Sequence, residues 1–317
     1  MADAIALRNR HENRVTSAAA VASGEVYQLD DGRAGVYTGL NSAASGDVVG
    51  FCTSGVFSVS KTASMVMVKG QSVWWDHSAN AATITPSKTD RDFFLGTVHD
   101  DAASAATTVE VNLNVKPAWT VDLTNDPFDS VVVLTAGTPQ LRDLGGAKSM
   151  EFSATAEAQK VDMLSKQGFG LESNWVVEGA FEVVDDGDAA AIDFNIGVAS
   201  GTHASDADTI AESVFIHTDG NAVNISAESD DGTNEQAAAD TTVDYALGSR
   251  VHFCIDGRDT SSVKLYINGV RVLSGKTFNV SDGSGPLYLL AHLEKSSDNT
   301  TAEYHVDWLR CVTSEVG

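Results

Sequence analysis

The sequence predicts an all-β protein, a small N-terminal β-barrel or sandwich followed by a larger two-sheet β-sandwich. Short runs rich in Val, Ile, Phe, Tyr and Thr recur between Gly, Asp and Asn turns, and no stretch keeps a helical period. The 317 residues exceed the usual span of one domain. Charge divides unevenly as well: residues 1–116 hold 9 Lys/Arg against 12 Asp/Glu, and residues 117–317 hold 11 against 32. Two regions meeting different surroundings are therefore expected.

Residues 1–19 read as an extended N-terminal arm. They carry Arg8, Arg10 and Arg14 and an Ala-rich stretch but no clear hydrophobic period, and a terminus of that kind is often ordered only by a partner. Residues 20–116 then give EVYQL, AGVYTGL, VVGFCTSGVFSV, KGQSVWWD, ATITP, FFLGTVHD and TTVEVNLNV, each bounded by turn residues. The last run alternates, which sets Val109, Val111, Leu113 and Val115 on one face until Lys116-Pro117 ends it. Trp74 and Trp75 are adjacent on a strand, so one is expected in the core and the other on a surface that meets a neighbour.

Residues 117–146 read as a connection with some strand character at SVVVLTAG. From 147 to 317 about ten runs follow, among them SNWVVEGAFEVV, AIDFNIGVAS, ESVFIHTDG, RVHFCIDG and PLYLLAHLE. So many apolar faces need a facing sheet. Hairpins are expected at Asp219-Gly220 and Asn268-Gly269, pairs that favour positive φ.

Composition excludes several functions. A formal charge of −24 with no basic cluster repels nucleic acid. No apolar window is long enough for a membrane helix, and the opening residues lack the order of a secretory signal, so synthesis in a cytoplasm is expected. Cys52, Cys254 and Cys311 lack metal-type spacing, and buried thiols are expected at Cys254 and Cys311. There is no phosphate loop and no nucleophile elbow. The carboxylate pattern of a sandwich glycosidase is missing too: ESDDGTNE supplies Glu228 and Asp230 but puts Thr233 where a second Glu would stand. No enzyme is expected.

Two sets of polar residues remain. His217, His252, His292 and His305 fall in strand-like runs and read as structural histidines rather than ligands. The acidic loops VVDDGDAA, SDADT and ESDDG read first as solvated turns. Calcium is the second reading, with Asp185, Asp186 and Asp188 as its first candidates; no other cofactor is expected. Trp175 and Trp308 read as core rather than as platforms for sugars.

An ordered series carries a resemblance. VASGEVYQLDDGRAGVYTG, the turn Ser45-Gly46-Asp47, VVGFCTSGVFSVSK, KGQSVWWD and FFLGTVHDDAASAATTVEVNLN follow one another from Val21 to Val115. Together they resemble the phage capsid cement, or head-decoration, family, which has an ASGD/E-V opening, an EGVF-like strand, a VYWD-like strand and a closing V-V-LN strand. The resemblance implies a β domain on the outer surface of an assembled phage head, a homotrimer at three-fold or local three-fold positions that bridges major capsid protein subunits. Binding the assembled lattice better than free subunits would stabilise the shell by mass action, and trimerisation would link three modest contacts. Arg8, Arg10, Arg14 and Trp75 are the expected capsid-binding residues.

The region after residue 146 is absent from minimal members of that family. RVHFCIDGRDTSSVKLYINGVRV (Arg250 to Val272) and YHVDWLRCV (Tyr304 to Val312) resemble a concanavalin-like or laminin-G-like jelly roll. That fold serves lectins, glycosidases and structural modules alike. The leading expectation is a decoration protein that displays an acidic sandwich; the alternative is a lectin-like virion protein that binds glycan.

Overall fold

The computed structural model describes residues 4–6, 12–17, 19–87, 91–117, 121–126, 128–133, 140–203 and 206–313. The chain forms two compact units, Met1–Ala118 with Asn268–Val270 and Trp119–Ile267 with Arg271–Gly317. Both are all-β with antiparallel sheets, and among the described residues no sheet closes into a barrel.

The first unit begins with β1 (Ala4–Ala6), β2 (Glu12–Thr16), β3 (Val26–Gln28), β4 (Ala34–Tyr37) and β5 (Val48–Cys52). It continues with β6 (Val56–Ser60), β7 (Ser72–Asp76), β8 (Ala81–Thr83), β9 (Phe93–Val98) and β10 (Thr108–Leu113). These make a six-stranded sheet, β1-β6-β10-β9-β7-β8, and a four-stranded sheet, β2-β5-β4-β3. Their inward side chains share a core in which Val26, Val36 and Cys52 join Phe57, Trp75, Leu95 and Val111. The opposite face of the four-stranded sheet is also apolar, covered by Val21, Leu29, Ala43, Val49 and Phe51. The Phe51 ring lies 5.7 Å from Tyr27 and 6.0 Å from Tyr37.

Two expectations for this unit change. Part of the presumed arm is sheet, since β1 pairs with β6 and β2 with β5. The closing strand keeps Val109, Val111 and Leu113 buried, but Val115 is 49% exposed. The alternation breaks at Asn114, which has φ 59°. Its amide explains the stop: Oδ1 accepts from the Ala34 N–H, and Nδ2 donates to the carbonyls of Ala34 and Thr53, each at 2.8 Å. A side chain so engaged fixes the end of β10 against the other sheet. Gly96 on β9 is required by close approach, because a Cβ there would sit 2.0 Å from the Asn112 carbonyl oxygen.

The second unit opens with β11 (Val121–Asp122), β12 (Phe128–Val133), β13 (Gln140–Asp143), β14 (Lys148–Phe152) and β15 (Glu157–Ser165). Then come β16 (Trp175–Asp185), β17 (Ile192–Ala199), β18 (Ser213–Asp219), β19 (Asn224–Asp230) and β20 (Glu235–Asp244). The last five are β21 (Arg250–Gly257), β22 (Lys264–Ile267), β23 (Val270–Val272), β24 (Tyr288–Asp298) and β25 (Ala302–Val312). One sheet runs β13-β14-β25-β16-β21-β22-β23 with β11 added to β25, and the other runs β12-β15-β24-β17-β18-β19-β20.

The segment expected as a connection is therefore part of the sandwich: β11, β12 and β13 pair with β25, β15 and β14. Between the sheets lies a core that includes Phe181, Phe194, Phe253 and Tyr304, the rings of Phe194 and Tyr304 stacked at 4.5 Å. Trp175 belongs to it. Trp308 is buried elsewhere, its ring flanked by Arg250 at 5.0 Å and Arg310 at 5.3 Å. Asn268 and Gly269, with φ of 48° and 77°, make the two-residue turn between β22 and β23 that their pairing demands. Cys52, Cys254 and Cys311 are all buried, and none is in a disulfide.

Candidate functional site

The pleat sends alternate residues of β15, β24, β17 and β18 to opposite sides of the seven-stranded sheet. Val161, Leu293, Phe194 and Ile216 face the core. Residues of the opposite parity form polar rows, in which Asp162 is paired with His292, His292 with Asn195, and Asn195 with His217. One step along the strands lies Lys160, Glu294, Asp193 and Asp219. Glu228 of β19 stands opposite Phe215.

Residues 200–203 and 206–212 cover part of this face. Ala207 and Ile210 pack on Ala199, Phe215 and Leu290, which anchors a short 3-10 turn, Ala207–Thr209, whose N-cap carboxylate, Asp206, accepts from the Asp208 N–H. The cover is tied down by hydrogen bonds as well. Thr202 Oγ1 donates to Asp162, and Lys160 Nζ donates to the His203 carbonyl. Buried charges that are paired and hydrogen-bonded avoid most of the penalty an isolated charge would meet. Lys160 lies 2.8 Å from Asp162, and His292 sits between Asp162 at 2.5 Å and Glu294 at 2.7 Å.

His217 is the centre of a second set. Its Nε2 lies 3.0 Å from Asp219 Oδ1 and 3.5 Å from Asp193 Oδ1. Its Nδ1 lies 3.1 Å from Asn195 Oδ1, 3.5 Å from Asp208 Oδ1 and 3.6 Å from Glu228 Oε1. Asn195 Nδ2 donates to both Asp193 and Asp208 at 3.1 Å. Among the described residues, ligand atoms of Asp193, Asp208 and His217 come within 4.8 Å of one another, as do those of Asp193, Asp206 and Glu294. A cleft of about 430 Å³ opens beside them, lined by Lys160, Asp193, Asp206, Asp219 and Glu294. Another of about 320 Å³ is reached by Asp208, Glu228 and Glu235.

Crowded carboxylates raise one another's affinity for protons. Burial, joined by Asp208, Glu294 and Glu228, pushes Asp193 up to about 8 against the pull of His217. Burial and Asp208 push Glu228 up to about 7. Burial would lower the His217 imidazole, but Asp208, Asp219 and Glu228 outweigh it and hold the ring protonated well above its usual range. For His292 burial is likewise outweighed, by Asp162 and Glu294, and its pKa rises to about 9.

The capsid contacts and the first calcium candidates expected from sequence lie elsewhere, whereas His217 and His292, read as structural, and Asp206 and Asp208 of the SDADT loop fall in this set. Arg8 and Arg10 are outside the described residues, and Arg14 is on β2 opposite Gly50. Trp75, expected at a capsid contact, is instead 1% exposed in the first core, because Trp74 takes the outward parity and packs edge-on to Phe94 at 6.1 Å. Asp185, Asp186 and Asp188 do not converge as a calcium site would need. Asp185 accepts from the Gly187 N–H and the Thr301 hydroxyl, Asp186 accepts from the Tyr245 hydroxyl, and the Asp188 N–H donates to Thr300 Oγ1.

The first unit also offers a surface. Leu40 is 100% exposed and Val48 71% exposed. Both line an open depression with Tyr37, Asn41 and Asp47. Apolar side chains left in water near one another are a common mark of an interaction site.

Residues 8–113, about a third of the chain, match the phage cement protein family. No curated protein matches the sequence. Among solved structures, the carbohydrate recognition domain of Emp47p is similar with 14% identity and TM-score 0.45, over 62% of this chain and 94% of that one. The metal-free carbohydrate recognition domain of Emp46p follows with 9% identity and TM-score 0.41, over 59% and 89%. A family 16 endo-glucanase from Bacteroides ovatus has 10% identity and TM-score 0.41, over 60% and 98%.

Proposed function

We propose that the chain is a phage capsid decoration protein, attached to the outer surface of the head through its first unit and displaying its acidic second unit to solvent. The observation that carries this reading is the match of residues 8–113 to the phage cement protein family. The exposed pair Leu40 and Val48 supports it by offering an apolar contact outside both cores. Arg8, Arg10 and Arg14 are the basic contacts proposed for the acidic side of a capsid surface. Attachment as a homotrimer at three-fold positions would multiply contacts that are weak singly.

Co-sedimentation of the full chain with heads that lack it tests the proposal, after its mass in solution has been measured by light scattering. A trimer that pellets with heads, and is released by Leu40→Asp with Val48→Asp, is the expected result. A monomer left in the supernatant overturns the reading. Charge reversal of Arg8, Arg10 and Arg14 is a cleaner probe than deletion, since deletion also removes β1 and β2.

Glycan binding by the second unit has less support. The residues lining the 430 Å³ cleft include no aromatic ring on which a sugar could stack, and a glycan array with the full chain is expected to stay blank.

A further inference from the structure

On the polar face of the seven-stranded sheet, one buried carboxylate oxygen lacks a hydrogen bond within an otherwise bonded set. Glu228 Oε1 is buried, with no hydrogen-bond partner, and its side chain is only 9% exposed. It points at His217 Nδ1 from 3.6 Å, and Asp208 Oδ1 approaches the same nitrogen from 3.5 Å. These separations are long for hydrogen bonds. They suit the edges of a coordination shell: ligands about 2.1 Å from a common tetrahedral ion stand about 3.4 Å apart.

The orientation of the ring agrees. Nε2 faces Asp219 Oδ1 at 3.0 Å, the outer partner that a metal-bound histidine commonly gives its remaining N–H, leaving Nδ1 for the ion. Two carboxylates approach that nitrogen from separate elements, Asp208 on the 3-10 turn and Glu228 on β19; Asp193 on β17 stands 3.5 Å from Nε2 instead. Without the ion, Nδ1–H donates to Asn195 Oδ1 at 3.1 Å, and the ion takes the place of that bond.

We propose that His217 Nδ1, Asp208 and Glu228, with Asp193 beside them, form a site for one divalent ion of the zinc or manganese class. A mixed nitrogen and carboxylate set favours such an ion over calcium, which takes oxygen from six to eight donors. On binding, the ion replaces the Nδ1 proton and the proton that Glu228 holds near neutral pH, both of which pass to solvent, while Nε2–H goes on donating to Asp219. Because Asp208 belongs to the segment that carries the 3-10 turn, the ion joins that segment to two strands of the sandwich, β18 and β19.

The test uses the full chain stripped with EDTA and dialysed, titrated separately with Zn2+, Mn2+ and Ca2+ by calorimetry. One Zn2+ or Mn2+ per chain is expected to bind and raise the melting temperature. Glu228→Gln and Asp208→Asn, near-isosteric changes checked by circular dichroism, are each expected to weaken binding roughly tenfold or more. Glu110→Gln, on β10 of the first unit, leaves it unchanged. Pulsed electron paramagnetic resonance on the unaltered protein with Mn2+ supplies a readout free of any folding defect, a nitrogen coupling from the imidazole. Absence of binding overturns the proposal, and so does a bound Mn2+ without nitrogen coupling. Preferential Ca2+ binding that depends on Asp206 and Glu294 overturns it as well, by moving the site to the all-oxygen group. Every readout is taken on the free chain and so is independent of capsid attachment.

Discussion

The four-stranded sheet of the first unit and the seven-stranded sheet of the second each bury a face outside their main core, and they do so with opposite chemistry. The first uses Leu29, Val49 and Phe51 with two tyrosines against the Phe51 ring. The second uses Asp162, His292, Asn195 and His217 under the segment that contains the 3-10 turn. An apolar face is held by area removed from water and tolerates small shifts. An ionic face must keep every partner in place, because a buried charge left alone is costly. Position beneath a cover therefore says little about chemistry, while the residues on the strand decide how sharply the face responds to change.

The comparison breaks most visibly at Asp162. Asp162→Ala deprives both Lys160 and His292 of a partner and is expected to cost about 3–5 kcal/mol. Calorimetric unfolding should show this as a lowered transition for the second unit while the first keeps its own. Equal transitions would mean that the ionic face contributes little.

Alkali offers a gentler break. His292 is charged in the folded state up to about 9, above an unfolded value of about 6.5. Its contribution is then complete below about pH 6.5 and is lost as pH rises through 9. The shift corresponds to about 3 kcal/mol at most and comes from Asp162 and Glu294, which face the ring and outweigh its burial, while Lys160 competes for Asp162. Asp193 and Glu228, pushed up to about 8 and about 7, lose stability in the same window, so the measurement is melting in EDTA at pH 6.5 and pH 9.5 for the intact chain and for His292→Gln; an equal loss in both contradicts the assignment. The apolar face sharpens the contrast with the smallest effect: Leu29→Ala is expected to cost about 2 kcal/mol, by the same amount at both pH values, on the transition of the first unit.

Legibility in the sequence followed the same divide. Strands with one apolar side, such as TTVEVNLNV and AIDFNIGVAS, were readable because alternation reports a half-buried sheet. β15 escaped notice since its second face carries Lys160 and Asp162, so its period resembles that of an exposed loop. β20 escaped for another reason, being Ala-rich and largely exposed. The histidine set left a trace in the sequence: Asp193 with Asn195, His217 with Asp219, and His292 with Glu294 are each two residues apart, hence on one face of their strands. What the sequence could not supply was the order of strands that sets these pairs side by side. Trp75 shows the converse limit, because adjacent tryptophans declare that their directions differ without declaring which is inward.

β20 also matters for neighbours. It lies at the end of the seven-stranded sheet and bears Glu235, Asp240 and Asp244 along an exposed strand. An uncovered strand end of a sheet invites another chain to pair with it, and charge on that rim discourages the approach. Copies crowded together at high local density would therefore meet rim to rim with like charges, and their sandwiches would stay separate sheets instead of fusing into a continuous ribbon.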